Sequence, residues 1–313
     1  MTMRLTGNSN FLLFQRALSL RNSDVFRSSE QLSTQKRINR ASDDPEGARV
    51  ALGYQQSIES LEQYLKNLDS GERFLRDTEA ALTSAKDLIV RAKELAIQGR
   101  NGILSSQARD AIATEVQQLL QQMALVGNTE VNGEYLFSGY RTNTRPFSLD
   151  AAQPSADPVA TYGGDANARS IRIGESSTLQ IQSRGDEVFK GDGSPSTVDI
   201  FQTLADLQVA LDNDNVDDND PASVGSMIDD LDTGLNQMLA EITAVGARIN
   251  RIELNRSHFE TQREVLKGFL TSIVEVDLSE AAFNYQKANT ALQATVTAAG
   301  NIMNVPSLMD FIR

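Results

Sequence analysis

Residues 224–273 read VGSMIDDLDTGLNQMLAEITAVGARINRIELNRSHFETQREVLKGFLTSI. Positions 224, 228, 231, 235, 238, 242, 245, 249, 252, 256, 259, 263, 266, 270 and 273 step by four and three. Thirteen of these fifteen are apolar, and Arg256 and Arg263 are the exceptions. A stripe of this period is the mark of a helix packed lengthwise on another helix. At ~1.5 Å per residue it would extend about 75–80 Å. The spacing therefore predicts a rod. A partner of similar length lies upstream, where Tyr54, Leu61, Leu68, Leu75, Leu82, Ile89 and Ala96 recur every seven residues. Its companion line is small or polar: Gly71, Thr78, Ala85 and Ala92. Strict sevenfold spacing over this length favours a supercoiled seam.

Both ends of the chain carry further stripes. Phe11, Leu18, Val25 and Leu32 recur every seven residues with Phe14 beside them, on a helix expected over 9–40. Near the other end, Ala282, Tyr285, Asn289, Leu292, Val296, Ala299 and Met303 follow alternating steps of three and four. An isolated helix is marginal because its nucleation is costly. Burying Phe11, Phe14, Leu18, Val25 and Leu32 would contribute roughly 7–15 kcal/mol, against about 1–2 kcal/mol per residue for ordering the backbone. Both ends are therefore expected to stay mobile in a lone chain and to order when neighbouring subunits cover them.

The breaks between helices have a local signature. Asp43 with Glu46 three residues later resembles a capping box, and Pro45 suits a first helical turn. Gly99-Arg100-Asn101-Gly102 ends the long helix, a further helix is expected over about 105–127, and Asp277 with Glu280 caps the last one. Residues 128–200 change character and are rich in Gly, Pro, Ser, Thr, Asn and Asp. Asn132-Gly133 is a hairpin signal. Tyr135-Leu136-Phe137 reads as a short strand, and Ile171–Ile173 and Leu179–Gln182 alternate with period two. The expected fold class is mainly α: a long antiparallel helical rod with coiled-coil-like terminal helices and a small β-rich insert. The expected division is a terminal assembly domain of 1–44 with 274–313, a rod of 45–134 with 205–273, and an outer insert of 135–204.

Composition excludes much chemistry. The 313 residues are 40% apolar and 6% aromatic, with no Trp. The absence of Cys rules out disulfides, thiolate metal sites and a Cys nucleophile, and a single histidine, His258, rules out a multi-His metal site. His258 beside Phe259 reads as a partly packed seam residue. The acidic run from Asp212 fails as an EF-hand, because its sixth and twelfth positions hold Asp217 and Ser223 where Gly and Glu are required. Gly163-Gly164-Asp165 and Gly191-Asp192-Gly193 fit no phosphate loop and read as turns. The Tyr and Phe residues between 135 and 162 read as core packing. No catalytic pair, cofactor or metal is expected. Net charge is −13, with 7 Lys and Arg against 17 Asp and Glu in 205–313. This is a poor field for nucleic acid or anionic lipid. No stretch is apolar for long enough to span a bilayer, and the first residues lack the pattern of a cleaved secretory signal.

The segment QLSTQKRINRASDDPEGA, residues 31–48, resembles the N-terminal signature of bacterial flagellins and their hook-associated relatives. The resemblance rests on Arg37, Ile38, Asn39, Asp43, Asp44, Pro45 and Gly47. Val245-Gly246-Ala247-Arg248-Ile249-Asn250-Arg251, Ser279-Glu280-Ala281 and the closing Val305–Arg313 are similar to the C-terminal counterpart. Asn132–Thr142, Tyr162–Asp165 and Arg184–Phe189 resemble the hook-associated protein 3 family, which forms the hook–filament junction; a short filament flagellin is the alternative. The resemblance implies a homo-oligomeric ring in which the terminal helices pack into an inner tube. The implied interface is Phe11, Phe14, Leu18, Val25, Leu32, Tyr285, Leu292, Val296, Met303 and Leu308. It implies as partners the first hook-associated protein, flagellin and a cytosolic flagellar export chaperone. It also implies export through the flagellar type III channel to an extracellular location in the flagellum.

Overall fold

The computed structural model describes residues 4–149, 159–191, 193–194, 196–217 and 220–303. In chain order the elements are α1 (Arg4–Thr34), α2 (Pro45–Gly99), α3 (Ser106–Gly127), β1 (Glu130–Val131), β2 (Glu134–Tyr135), β3 (Phe147–Leu149), β4 (Ala160–Tyr162), β5 (Ser170–Arg172), β6 (Thr178–Gln180), α4 (Gly185–Lys190), α5 (Ile200–Asp212), α6 (Val224–Val274) and α7 (Leu278–Met303). The fold is mainly α, with three small antiparallel strand pairs: β1 with β2, β3 with β4, and β5 with β6. Two compact units divide the chain, one of 1–61 with 261–313 and one of 62–260.

In the 62–260 unit, the sevenfold line of α2 forms the core. Leu68, Leu75, Leu82, Ile89 and Ala96 are fully buried, as are Thr78, Ala85 and Ala92 of the companion line. Small residues are needed there because other elements come close. A Cβ on Gly71 would lie 2.5 Å from Ile171 Cδ1 and 3.5 Å from Ile252 Cδ1. Val224, Leu231, Met238, Val245 and Ile252 of α6 are buried in the same core. The helices run antiparallel in this unit: the Tyr64 ring packs tilted against that of Phe259, Arg76 pairs with Glu253, and Lys93 pairs with Asp232. Arg256, the polar break in the α6 stripe, reaches Asp69 at 2.8 Å and also Glu72. It replaces an apolar knob with an inter-helix ion pair. His258 differs from expectation. It is exposed, because it falls one position outside the seam that Phe259 enters.

The insert packs on a cluster of rings, Phe137, Phe147, Phe189 and Phe201, with centroids 4.9–5.8 Å apart. The Tyr162 hydroxyl donates to Phe137 O at 2.8 Å, and burial pushes it well above the usual phenol range. Of the aromatics expected to be core between 135 and 162, Phe137 and Phe147 are fully buried and Tyr135 and Tyr162 half-buried, whereas Tyr140 is exposed because it lies on the turn after Gly139. The strand expected over Tyr135–Phe137 stops at Tyr135; Leu136 N donates to Thr129 O, and Leu136 and Phe137 turn inward. Asn132 and Gly133 form the expected two-residue turn, with φ of 54° and 84°.

The acidic loop before α6 is partly organised by Arg109. This side chain is buried and donates to Gly99 O at 3.0 Å, Asn101 O at 3.1 Å and Asp214 at 2.8 Å. It thus supplies donors to carbonyls left over at the end of α2. Among the described residues no group of three or more His, Asp or Glu is placed to hold a metal, and no helix is long and apolar enough to cross a membrane.

Candidate assembly interface

In the unit of 1–61 with 261–313, α1 packs along α7. A short clip joins the turn after α1 to the turn after α6. Lys36 pairs with Glu275 in an antiparallel bridge, Arg37 N donates to Val274 O at 2.6 Å, and Val276 N donates to Gln35 O at 3.1 Å. α1 therefore ends at Thr34 and not near residue 40. Gln35 takes a left-handed φ of 57°, which turns the chain out of the helix and into the bridge.

The motif residues build the rest of the clip. The Arg37 guanidinium donates twice to Ile273 O, from Nε at 3.2 Å and from Nη2 at 2.8 Å, and pairs through Nη1 with Asp44 at 3.2 Å. A cation on the last carbonyls of α6 is favoured by the helix dipole. Asp44 is the N-cap of α2, accepting from Gly47 N at 2.9 Å; this bond, with Arg37 beside it, holds the carboxyl below its usual range. The expected cap, Asp43, does other work: its carboxylate accepts from Asn39 N and Arg40 N and closes the preceding turn. Pro45 opens α2, where no amide is needed. A Cβ on Gly47 would lie 2.5 Å from Asp44 Oδ2 and 2.7 Å from Ile38 Cδ1, and Ile38 is buried. Asn39 Nδ2 donates to Lys36 O at 3.1 Å. The cap of α7 is Asp277, which accepts from Ser279 N at 2.8 Å.

The candidate interface residues fall into two groups. Phe14, Val25, Leu32, Tyr285 and Leu292 are half-buried. Phe11, Leu18 and Val296 are exposed, at 55%, 38% and 53%. Met303 is the last residue of α7, and Leu308 lies outside the described residues. The expectation that each stripe stays bare and mobile in a lone chain is corrected in part. α1 and α7 are regular helices that cover one another's inner edges, because the clip lays them side by side. At the start of the last stripe Ala281 is buried, while Ala282 is exposed.

Periodicity alone missed the outer face. Leu12, Leu13, Leu20 and Phe26 of α1, and Leu278 and Phe283 of α7, are half to nearly four-fifths exposed. All but Leu278, which lies seven residues before Tyr285, fall off the heptad lines. The available signal was apolar residues on every side of one helix, which marks a helix covered from more than one direction.

A helix pair with one edge closed on itself and broad apolar surface on the other defines a subunit that packs against other subunits. Residues 7–142 match the family profile described as the bacterial flagellin N-terminal helical region, and residues 228–312 match the bacterial flagellin C-terminal helical region. The chain belongs to the bacterial flagellin family. It is 27% identical to the flagellar hook-associated protein 3 of Escherichia coli K12 over 95% of this chain and 96% of that one. It is 28% identical to a 30.7 kDa flagellar filament core protein of Treponema maltophilum over 94% of each. The crystal structure of hook-associated protein 3 from Legionella pneumophila shares the fold with a TM-score of 0.59, at 18% identity, over 70% of this chain and 98% of that one. Members of this family assemble into the flagellum, and this chain is a flagellar structural component.

Proposed function

We propose that the protein joins the hook to the filament, through subunit packing of its terminal helices. The supporting observation is near end-to-end similarity to a hook-associated protein 3, combined with the exposed apolar face of α1 and α7. In this reading, residues 1–44 and 274–313 form the assembly domain, 45–134 and 205–273 the rod, and 135–204 an outward-facing insert. Copies make lateral contacts in a ring, with different axial surfaces above and below. The first hook-associated protein lies on one side and flagellin on the other. A cytosolic chaperone holds the C-terminal helix until the chain leaves, unfolded, through the flagellar type III channel. The assembly residues are Phe11, Leu18 and Val296 toward neighbours, and Phe14, Val25, Leu32, Tyr285 and Leu292 within the helix pair. No catalytic step enters this role.

A null strain tests it. Hooks present, filaments absent and flagellin shed into the medium are the expected result. The similarity to a filament core protein over 94% of the chain favours one other reading, a filament flagellin. Purified protein that grows alone into long filaments would replace the junction role with that one.

A further inference from the structure

The stripe of α1 repeats every seven residues. Such a pattern is met again when the helix slides by one heptad against its partner, a shift of about 10 Å. The connection to α2 does not prevent this. It has ten residues, 35–44, and a link of that length reaches up to ~33–36 Å. α7 is tied more tightly, following α6 after residues 275–277. The apolar stripes and the chain connections therefore leave the α1–α7 register open, and a contact outside the stripes has to fix it.

The clip is placed to do this. We propose that Arg37 is a positioning residue that sets the register of α1 on α7, and so decides which apolar side chains the pair presents to neighbouring subunits. Its backbone amide bonds Val274 O, and its guanidinium grips Ile273 O and Asp44. One side chain thus ties the end of α1 to the C-terminus of α6 and the N-cap of α2. The clip sets the end of α1 beside the start of α7, and with their covered sides facing, Leu32 lies level with Ala281, Ser28 with Tyr285, Val25 with Ala288 and Phe14 with Ala299, two residues on from a straight continuation of the Lys36–Glu275 pairing. All eight are buried or half-buried. After a one-heptad slide Val25 would meet Thr295 instead. The inference concerns the helix pair itself and holds for a junction or a filament subunit.

The chain has no cysteine, so introduced pairs report without background. Full-length monomer carrying Val25→Cys with Ala288→Cys is compared with Val25→Cys with Thr295→Cys. Each is oxidised at high dilution, and the internally bridged form is separated by denaturing electrophoresis. With Arg37 present, the first pair closes at least about tenfold faster, the scale expected for a charged donor's hydrogen bonds. Arg37→Ala brings the ratio near one, and Arg37→Lys, which keeps the charge without the fork, gives an intermediate value. An unchanged ratio in Arg37→Ala with helix content retained overturns the proposal. So does equal closure of both pairs with Arg37 intact. Where the alanine variant fails to fold, an unchanged ratio in Arg37→Lys has the same force.

Discussion

Phe26 offers the sharpest separation of what stabilises one molecule from what binds it to the next. Its side chain is 78% exposed on α1. Replacing it with Gln keeps a good helix former and removes no internal contact of consequence. The stability of the lone chain should change by less than ~0.5 kcal/mol, the usual range for such surface positions. Assembly should respond differently. Fully covering a Phe contributes about 1.5–3 kcal/mol; the uncovered share here is about 1.2–2.3 kcal/mol. At ~1.4 kcal/mol per tenfold, Phe26→Gln should weaken incorporation roughly seven- to fiftyfold. The assay is a titration of labelled protein onto isolated hooks, beside thermal unfolding of the monomer. Unaltered incorporation would show that this face is not covered in the assembly. A monomer destabilised by more than about 1 kcal/mol would show that Phe26 is already packed inside its own chain. Either result defeats the reasoning.

Three further outcomes test the parts of the molecule that hold the interface in place. Arg109→Met keeps the apolar stem but leaves Gly99 O and Asn101 O without that donor; about 2–4 kcal/mol should be lost, read as a lower urea midpoint. Gly47→Ala forces Asp44 and Ile38 apart from their present positions. Losing the cap should cost about 1–2 kcal/mol, with faster amide exchange over 37–48 and little change in the 62–260 unit. Glu72 is held below its usual range first by Arg256 and then by Arg76. Its contribution is therefore present above the ordinary Glu value and lost as pH falls through the lowered one. Arg256→Met should differ most from the parent near neutral pH and converge with it in acid, measured by urea unfolding across pH 2–7.

Much of the fold was legible because long helices repeat one packing solution many times. The α2 line from Leu68 to Ala96 and the α6 line from Val224 to Ile252 are buried as their spacing requires. The Arg109–Asp214 and Arg256 pairs were not legible, since their partners lie far away in sequence. Capping chemistry was half legible. An acidic residue before Pro45 was certain to cap something, yet Asp43 and Asp44 differ only in where the turn points them.

By itself, the sequence determined the long seams, the helix starts and the family motif. These depend on local spacing and residue type. Only the tertiary structure decided that Gln35–Arg37 would meet residues 273–276, and that the two chain ends would cover each other's inner edges. It also decided that Phe26 and its neighbours would remain outside. Periodicity states which side of a helix is apolar; it takes the folded chain to say what lies against that side.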